Sequence, residues 1–392
     1  MTPTSVRTLR KPCLAHLLLC AVGLALPAAA STSGGNSAGA IREIALSRSF
    51  FNPTFGQRVE ISFRLSQPGR LTARVLDRDG FVTRALADDR MTPAGMVRLD
   101  WDGRSDRGEV VPDEAYSVQI DLRDGAGRHT YFPADEAPRE VPVEKIFHDA
   151  AQKLLRYELA EPSRVHVQAG SSDIGPQGQT NGPVLKTIAN RVPRTSGLIL
   201  ESWDGMDESG SFSVPGLKNF VLAVAATSLP ENSIITLGNR SKSFLEHARD
   251  RQGKSFLTRP KPANHHHHQG LTALEDAAPG MRLLARNAAW SASRRSWEVR
   301  NDTLKVSVSL EGPSAPHFSR QPGAVFVFLD EKKTLELPVA PPPLEFSLSV
   351  AGLEPGQHRV SVNWISEYGP VTVNSLLIWV GPARPAREKS GR

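Results

Sequence analysis

The chain has 392 residues, of which 39% are hydrophobic and 22% charged, and its 47 basic and 41 acidic residues give a net charge of +6. This length corresponds to roughly two to four domains of ordinary size. The two cysteines, Cys13 and Cys20, lie near the start of the chain, so disulfides cannot stabilise the remainder.

Residues 1–30 are predicted to be a secretory signal peptide. Basic residues precede a mostly apolar run at 14–26, and three alanines at 28–30 offer a small-residue cleavage site. The apolar run is shorter than the ~20 residues of a membrane-spanning helix, and no later run is longer. We expect an exported protein, periplasmic or extracellular, with no transmembrane segment in the mature chain. Its net charge falls from +6 to +3, because the signal removes three basic and no acidic residues.

A flexible spacer is predicted at 31–40, where Ser, Gly and Asn dominate and almost nothing can be buried. The first domain is predicted at 41–143. It contains short runs in which apolar and polar residues alternate, such as 59–65 and 97–101, with Gly, Pro and Asp between the runs. Several short strands at this spacing are typical of an antiparallel β-sandwich.

The most distinctive motif of this domain is Trp101, Asp102 and Gly103, in which an alternating strand ends in a tight turn. The same motif recurs at 203–205, 102 residues later, which is close to the ~100 residues of one immunoglobulin-like sandwich. The sequence therefore predicts a second, diverged sandwich at 144–239. An insertion at 171–183 replaces a short turn of the first copy.

A longer pattern surrounds the motif in the first copy: Phe51, Asn52, Pro53, Leu65, Pro68, Val75, Asp77, Gly80, Asp106, Gly108, Pro112 and Tyr116. With these residues, the segment 50–127 resembles the immunoglobulin-like domain of flagellar hook-capping proteins, and 154–238 resembles it more loosely. The resemblance implies a β-sandwich module such as occurs on many secreted bacterial proteins. It does not extend to a full hook-capping protein, because here the module follows an export signal almost directly.

The rest of the chain is predicted to be a basic, histidine-containing linker at 240–296, a third immunoglobulin-like sandwich at 297–382 and a disordered tail at 383–392. Alternation resumes after Trp297, for example in the run 304–310, and turn residues again separate the runs. The predicted fold class is all-β, with tandem immunoglobulin-like antiparallel β-sandwiches.

Four carboxylates near the first motif form a candidate calcium site: Asp100, Asp102, Asp106 and Glu109. Calcium prefers several oxygen ligands around a loop. The second copy, however, has Ser202 in place of Asp100, and a buried tryptophan followed by an Asp-Gly turn needs no metal. We therefore favour turn formation over calcium binding.

The candidate transition-metal ligands are His265, His266, His267 and His268. Neutral imidazole binds zinc, copper and nickel. Consecutive residues alternate sides in an extended chain, so the run cannot close a tetrahedral site alone and would need a further donor such as His247 or a partner chain. The tract is interpreted either as a solvated loop or as a site for copper, zinc or nickel, with no other cofactor expected.

No catalytic motif is present: the sequence lacks a G-x-S-x-G elbow, an H-E-x-x-H helix, a phosphate loop and a dinucleotide fingerprint. The basic linker has few aromatic residues, so no nucleic-acid partner is expected. We expect a non-enzymatic structural, adhesion or scaffolding protein that binds an envelope or secreted protein. Two alternatives remain, a periplasmic transition-metal binding protein that uses His265–His268 and an accessory subunit of an envelope enzyme.

The metal hypothesis predicts that replacing all four histidines at 265–268 by alanine abolishes copper and zinc uptake by the purified protein, because the tract supplies the imidazole ligands. Metal content is measured after incubation with each ion and removal of excess. Unchanged uptake in the variant would contradict the hypothesis.

Overall fold

The structure, a computed structural model, describes residues 6–7, 39–136, 138–171, 182–252, 273–367 and 370–382. Within these ranges the chain is almost entirely β-structure, which confirms the all-β, tandem immunoglobulin-like prediction. The helices described are short: α1 (Phe244–Gln252), α2 (Ala273–Asp276) and α3 (Ala315–Phe318). None of them is long and apolar enough to cross a membrane.

The first sandwich contains most of the strands up to residue 131. In chain order the strands are β1 (Val6–Arg7), β2 (Ile41–Leu46), β3 (Phe50–Phe51), β4 (Val59–Leu65), β5 (Gly69–Leu76), β6 (Val82–Thr92), β7 (Gly95–Trp101), β8 (Ala115–Asp124) and β9 (Gly127–Tyr131). One sheet has the order β2-β4-β7, and the facing sheet contains β3, β8, β5 and β6, with β9 beside β8. The alternation in β4 buries Val59, Ile61, Phe63 and Leu65 against Trp101 in the core between the sheets.

The second sandwich repeats this arrangement. Its strands are β10 (Glu140–Val141), β11 (Val143–Asp149), β12 (Leu154–Leu159), β13 (Ser163–Ser171), β14 (Val184–Arg194), β15 (Gly197–Ser202) and β16 (Phe220–Ser228). One sheet has the order β11-β12-β15, and the other has β16-β13-β14, with β10 and β1 both beside β16. Trp203 and Tyr157 lie in its core, as Trp101 does in the first. The predicted tandem repeat is confirmed. Most of the predicted insertion, residues 172–181, lies outside the described residues.

The predicted range 144–239 places the segment after β16 in the second sandwich, but the structure does not. The segment returns to the first as β17 (Ile234–Thr236), which pairs antiparallel with β8 and parallel with β3. The first sandwich therefore has a sheet of order β3-β17-β8-β5-β6. Ile234 and Ile235 are fully buried there. The pattern of the segment indicates a strand, but its partners lie more than a hundred residues away, and no local signal specifies such a pairing.

The third sandwich begins at residue 280, earlier than the predicted 297. Its strands are β18 (Gly280–Ala285), β19 (Ala288–Ser291), β20 (Ser296–Val299), β21 (Thr303–Glu311), β22 (Gly323–Leu329), β23 (Lys332–Pro338), β24 (Leu344–Ser349), β25 (Gly356–Ser366) and β26 (Val371–Val380). The sheets have the orders β18-β21-β24 and β19-β20-β26-β25-β22-β23. Strand β18 lies within the predicted linker 240–296. The sequence pattern does not reveal it, because its buried residues Met281, Leu283 and Ala285 alternate with less buried ones over only six residues. The predicted tail, 383–392, lies outside the described residues.

Replacing Ile234 by alanine is expected to destabilise the first sandwich by about 2 to 5 kcal/mol, because this isoleucine of β17 is fully buried in the core between the two sheets and its removal leaves a cavity. The free energy of unfolding is measured by urea denaturation of the mature chain. Leu237→Ala is the matched control, since Leu237 is 37% exposed and follows the same strand. Equal stability of the two variants would show that β17 contributes nothing to the sandwich.

Candidate functional site at the junction of the first two sandwiches

The two Trp-Asp-Gly turns form the same hydrogen bonds. The Trp101 Nε1 donates to the carbonyl oxygen of Arg104 at 3.0 Å, and the Asp102 carboxylate accepts from the Arg104 amide at 3.1 Å. In the second copy Trp203 and Asp204 make the equivalent bonds at 2.9 Å each. Each bond satisfies a polar group of a turn beside a buried indole. The motif is therefore a folding device in both copies.

Two other candidate calcium ligands, Asp106 and Asp100, lie in the first turn and on the strand before it. The Asp106 carboxylate accepts from the Ala85 amide at 3.1 Å and so ties the turn to β6. Asp100 lies on β7 opposite Glu60, and both side chains face solvent. Among the described residues, no group of three His, Cys, Asp or Glu side chains is arranged to hold a metal ion.

The predicted metal ligands His265, His266, His267 and His268 lie outside the described residues, so metal binding by this tract stays a prediction. The suggested further donor, His247, lies on α1, where its ring is 6.2 Å from the ring of Phe244.

A cluster of buried charged residues joins the first two sandwiches, and we call it the ionic junction. It consists of Arg78, Glu114, Arg164, Arg191 and Asp276. The Arg164 Nη2 lies 2.8 Å from the Glu114 Oε1, and the Arg78 guanidinium bridges the Glu114 Oε2 at 3.5 Å and the Asp276 Oδ2 at 3.0 Å. Arg191 binds the other oxygen of Asp276. Glu114 is 3% exposed and Arg164 4%.

The five side chains come from five separate elements of the chain. Arg78 lies in the tight turn between β5 and β6, and Glu114 directly precedes β8. Arg164 is the second residue of β13 and Arg191 lies in β14, both in the second sandwich. Asp276 ends α2, in the segment before the third sandwich. The cluster therefore forms only when the two sandwiches and this segment are docked together.

The internal repeat explains why the second sandwich needs carboxylates from other parts of the chain. In the first sandwich Arg70 binds the carboxylate of Asp89 at 2.8 Å and its carbonyl oxygen at 3.1 Å. Arg164 occupies the equivalent place and binds the carbonyl oxygen of residue 191 at 2.8 Å. Residue 191, however, is an arginine, with the same left-handed backbone as Asp89 (φ 50° and 44°). Where the first copy has a carboxylate the second has another guanidinium, and Glu114 and Asp276 supply the compensating negative charges.

The electrostatics of the cluster agree with this arrangement. Burial alone would raise the pKa of Glu114, but the adjacent Arg164 and Arg78 guanidinium groups outweigh burial and hold it below its ordinary value of 4.5. Burial, followed by repulsion from Arg78 and Arg164, lowers the pKa of Arg191 to about 10, so it stays charged at neutral pH. Removing one partner from such a cluster leaves an uncompensated buried charge, which costs about 3 to 5 kcal/mol.

A cavity of about 280 Å³ adjoins the ionic junction and is bounded by β14, α1 and the segments that flank β8 and α2. Its polar lining residues are engaged in structural bonds. Asp113 accepts from the backbone amides of Gly238 and Asn239 at 2.8 Å each. Ser243 forms a capping box with Glu246 at the start of α1, with its hydroxyl 2.7 Å from the glutamate. This serine therefore stabilises a helix end.

The second and third sandwiches also contact each other directly. The Asn363 side chain of β25 accepts from the Val184 amide at 2.8 Å and donates to its carbonyl at 2.7 Å, as a neighbouring strand would. The Arg359 guanidinium lies 4.5 Å from the ring centre of Phe212. Such contacts limit the motion of one sandwich against the next.

The residues of the ionic junction are not among the candidates derived from the sequence. One signal was available, since Arg70 and Arg164 are equivalent in the repeat. These two arginines are 94 residues apart, and beyond the insertion at 171–183 the offset of 102 residues set by the two tryptophans pairs Asp89 with Arg191. This reversal of charge at a repeated position indicates that the second copy needs an external carboxylate. It does not indicate which of the acidic residues provides it.

No family model matches this chain, and no curated protein matches its sequence. Solved structures that match the chain include a tetra-tandem repeat from the extending region of a large adhesion protein, with 11% identity over 87% of this chain and 74% of that one and a TM-score of 0.19. A second is the central fibronectin-III array of RIM-binding protein, with 12% identity over 89% of this chain and 100% of that one and a TM-score of 0.18. A third is a 1.5-MDa bacterial ice-binding adhesin, with 12% identity over 87% of this chain and 98% of that one and a TM-score of 0.18. These similarities concern fold class alone.

Glu114→Gln is expected to destabilise the docked sandwiches by about 3 to 5 kcal/mol at pH 7, because Arg164 and Arg78 lose a buried negative partner. In the wild type this contribution is complete above pH 4.5 and is lost as the pH falls through the lowered pKa of Glu114. The variant lacks this component of the pH dependence. Urea denaturation between pH 3 and pH 7 measures both effects.

The control is Asp89→Asn, which removes the equivalent carboxylate of the first sandwich. The Arg70 and Asp89 side chains are 58% and 45% exposed, so a change of less than about 1 kcal/mol is expected. Equal effects of the two substitutions would refute a special role for the ionic junction.

Proposed function

We propose that this protein is an exported, non-enzymatic β-sandwich protein with a structural, adhesion or scaffolding role. In this proposal the chain holds its sandwiches in a fixed arrangement and presents their surfaces to an envelope or secreted protein. The observation that carries the proposal is the ionic junction, a buried set of charges shared by two sandwiches and the segment that leads to the third.

Three kinds of contact support a fixed arrangement. Strand β17 inserts into the first sandwich after the chain has completed the second, so the two cannot separate without breaking a sheet. The ionic junction adds charges that would be left unpaired on separation. Asn363 then fixes the third sandwich to the edge of β14. An array of independent domains on flexible linkers needs none of these contacts.

The non-enzymatic part of the proposal is supported by the use of the polar groups at the junction. Arg78, Arg164 and Arg191 are paired with carboxylates, and Ser243 caps a helix. A catalytic site needs a nucleophile or base that is free to exchange protons with a substrate. At this junction the charged groups are instead used in holding the domains together.

Distances between spin labels test the fixed arrangement in the mature chain. Both natural cysteines precede residue 31, so single cysteines introduced at the exposed positions Arg98, Leu200 and Glu345 report on the three sandwiches without interference. We expect one narrow distance distribution for 98–200 and for 200–345. Glu114→Gln should broaden the first and leave the second unchanged, because the ionic junction lies between the first two sandwiches.

Asp89→Asn serves again as the control and should leave both distributions narrow. A broad wild-type distribution would contradict the scaffold proposal. The binding part is tested by cross-linking the wild type and Glu114→Gln to envelope proteins. A partner that contacts more than one sandwich should be enriched by the wild type over the variant, whereas equal enrichment would show that the arrangement has no role in binding.

A further inference from the structure

A second cavity, of about 360 Å³, lies between the second and third sandwiches, and we call it the tryptophan cleft. One side is the loop 208–211, which follows the Trp203 turn, and the other is formed by β18, β19, β20 and β26. Its volume is within the ~300 to 1,000 Å³ of ordinary small-molecule sites, which are frequent at domain interfaces.

The aromatic part of the cleft is an unusual pair of tryptophans. Trp290 and Trp297 face each other across the β19–β20 hairpin, with ring centres 5.6 Å apart and planes inclined at 66°. Trp290 remains 55% exposed. An exposed indole is costly to leave in water and presents an electron-rich face to the C–H groups of a bound molecule. Sugar rings have such C–H faces.

The charged part of the cleft comes from two arginines. Arg295 is exposed, and among the described residues its guanidinium makes no ion pair and no side-chain hydrogen bond. Arg282 has a carboxylate of Glu311 at 4.0 Å, but both side chains are more than half exposed, so the pair is weak. Glu208, the acid of the lining, is paired with Lys186 at 3.3 Å. The cleft therefore offers positive charge to an anionic group.

The remaining lining combines polar and apolar side chains, namely Ser209, Ser211, Asn374 and Ser375 with Leu283, Leu376 and Leu377. The Ser209 hydroxyl already donates to Asp207 and the Asn374 amide to the Met281 carbonyl, so an apolar peptide anchor would leave unsatisfied only their remaining hydrogen-bonding capacity and the Ser211 hydroxyl. A saccharide instead supplies hydroxyl groups to the polar residues and a C–H face to the indole. We propose that the tryptophan cleft binds a saccharide that carries a carboxylate or sulfate group. This inference depends on the docking of the second and third sandwiches, but it involves no residue of the ionic junction, so loss of the junction and loss of saccharide binding are distinguishable.

The test is calorimetric titration of the mature protein with oligogalacturonate, which carries carboxylates, and with dextran sulfate fragments. Neutral dextran and a polyglutamate peptide are the comparison ligands. We expect binding of at least one acidic saccharide, with quenching of tryptophan fluorescence, and weakening as the salt concentration rises. The acidic saccharide that binds identifies the carboxylate or the sulfate as the preferred group.

Trp290→Ala is expected to weaken binding roughly tenfold or more, and Trp290→Phe less, because the ring face is partly retained. Arg295→Ser should weaken binding by a similar factor and Arg295→Lys by less. The matched control is Arg320→Ser, an exposed arginine of the same sandwich that does not line the cleft. An unchanged urea midpoint shows that each variant is folded.

Several results would overturn the inference. They are the absence of binding by both acidic saccharides, equal binding of neutral dextran, and binding that Trp290→Ala and Arg295→Ser leave intact. Binding of polyglutamate with the same sensitivity to both variants would also overturn it, since the cleft would then recognise an acidic peptide.

Discussion

The contact between Arg164 and Glu114 is the constraint on which the arrangement of this protein depends. Both side chains are almost completely buried. Glu114 belongs to the first sandwich and Arg164 to the second. A buried charge without its partner is far more costly than an exposed one. Separation of the first two sandwiches is therefore energetically costly. Asp276 extends the same constraint to the segment that leads to the third sandwich.

This contact corresponds to a difference between the two copies of the repeated module. The first sandwich satisfies Arg70 internally with Asp89, on its own surface. The second keeps the arginine, as Arg164, but has Arg191 where the acid would be. Two guanidinium groups at one place repel each other and require outside carboxylates. The charge that the second module lacks internally is thus supplied across the interface between modules.

The strands within each sandwich are specified by residues close together in the chain, so the sequence predicts them well. Alternation in 59–65 and 97–101 specifies which side chains face the core, and the Trp101 and Trp203 turns are visible as a repeat. Short or distant elements are harder to assign. Strand β18 presents only six residues of alternation, and β17 has the pattern of a strand without any indication that it completes a sandwich finished a hundred residues earlier.

The sequence by itself determined the fold class, the duplication and the role of the Trp-Asp-Gly motif, because each depends on residues close together in the chain. The ionic junction and the tryptophan cleft were decided by the tertiary structure alone. Glu114 is one acidic residue among 41, and Trp290 one tryptophan among six. Only docking brings Glu114 to Arg164 and places Trp290 and Arg295 beside the loop of another sandwich, since the free energy of these contacts depends on burial and distance that sequence spacing does not encode.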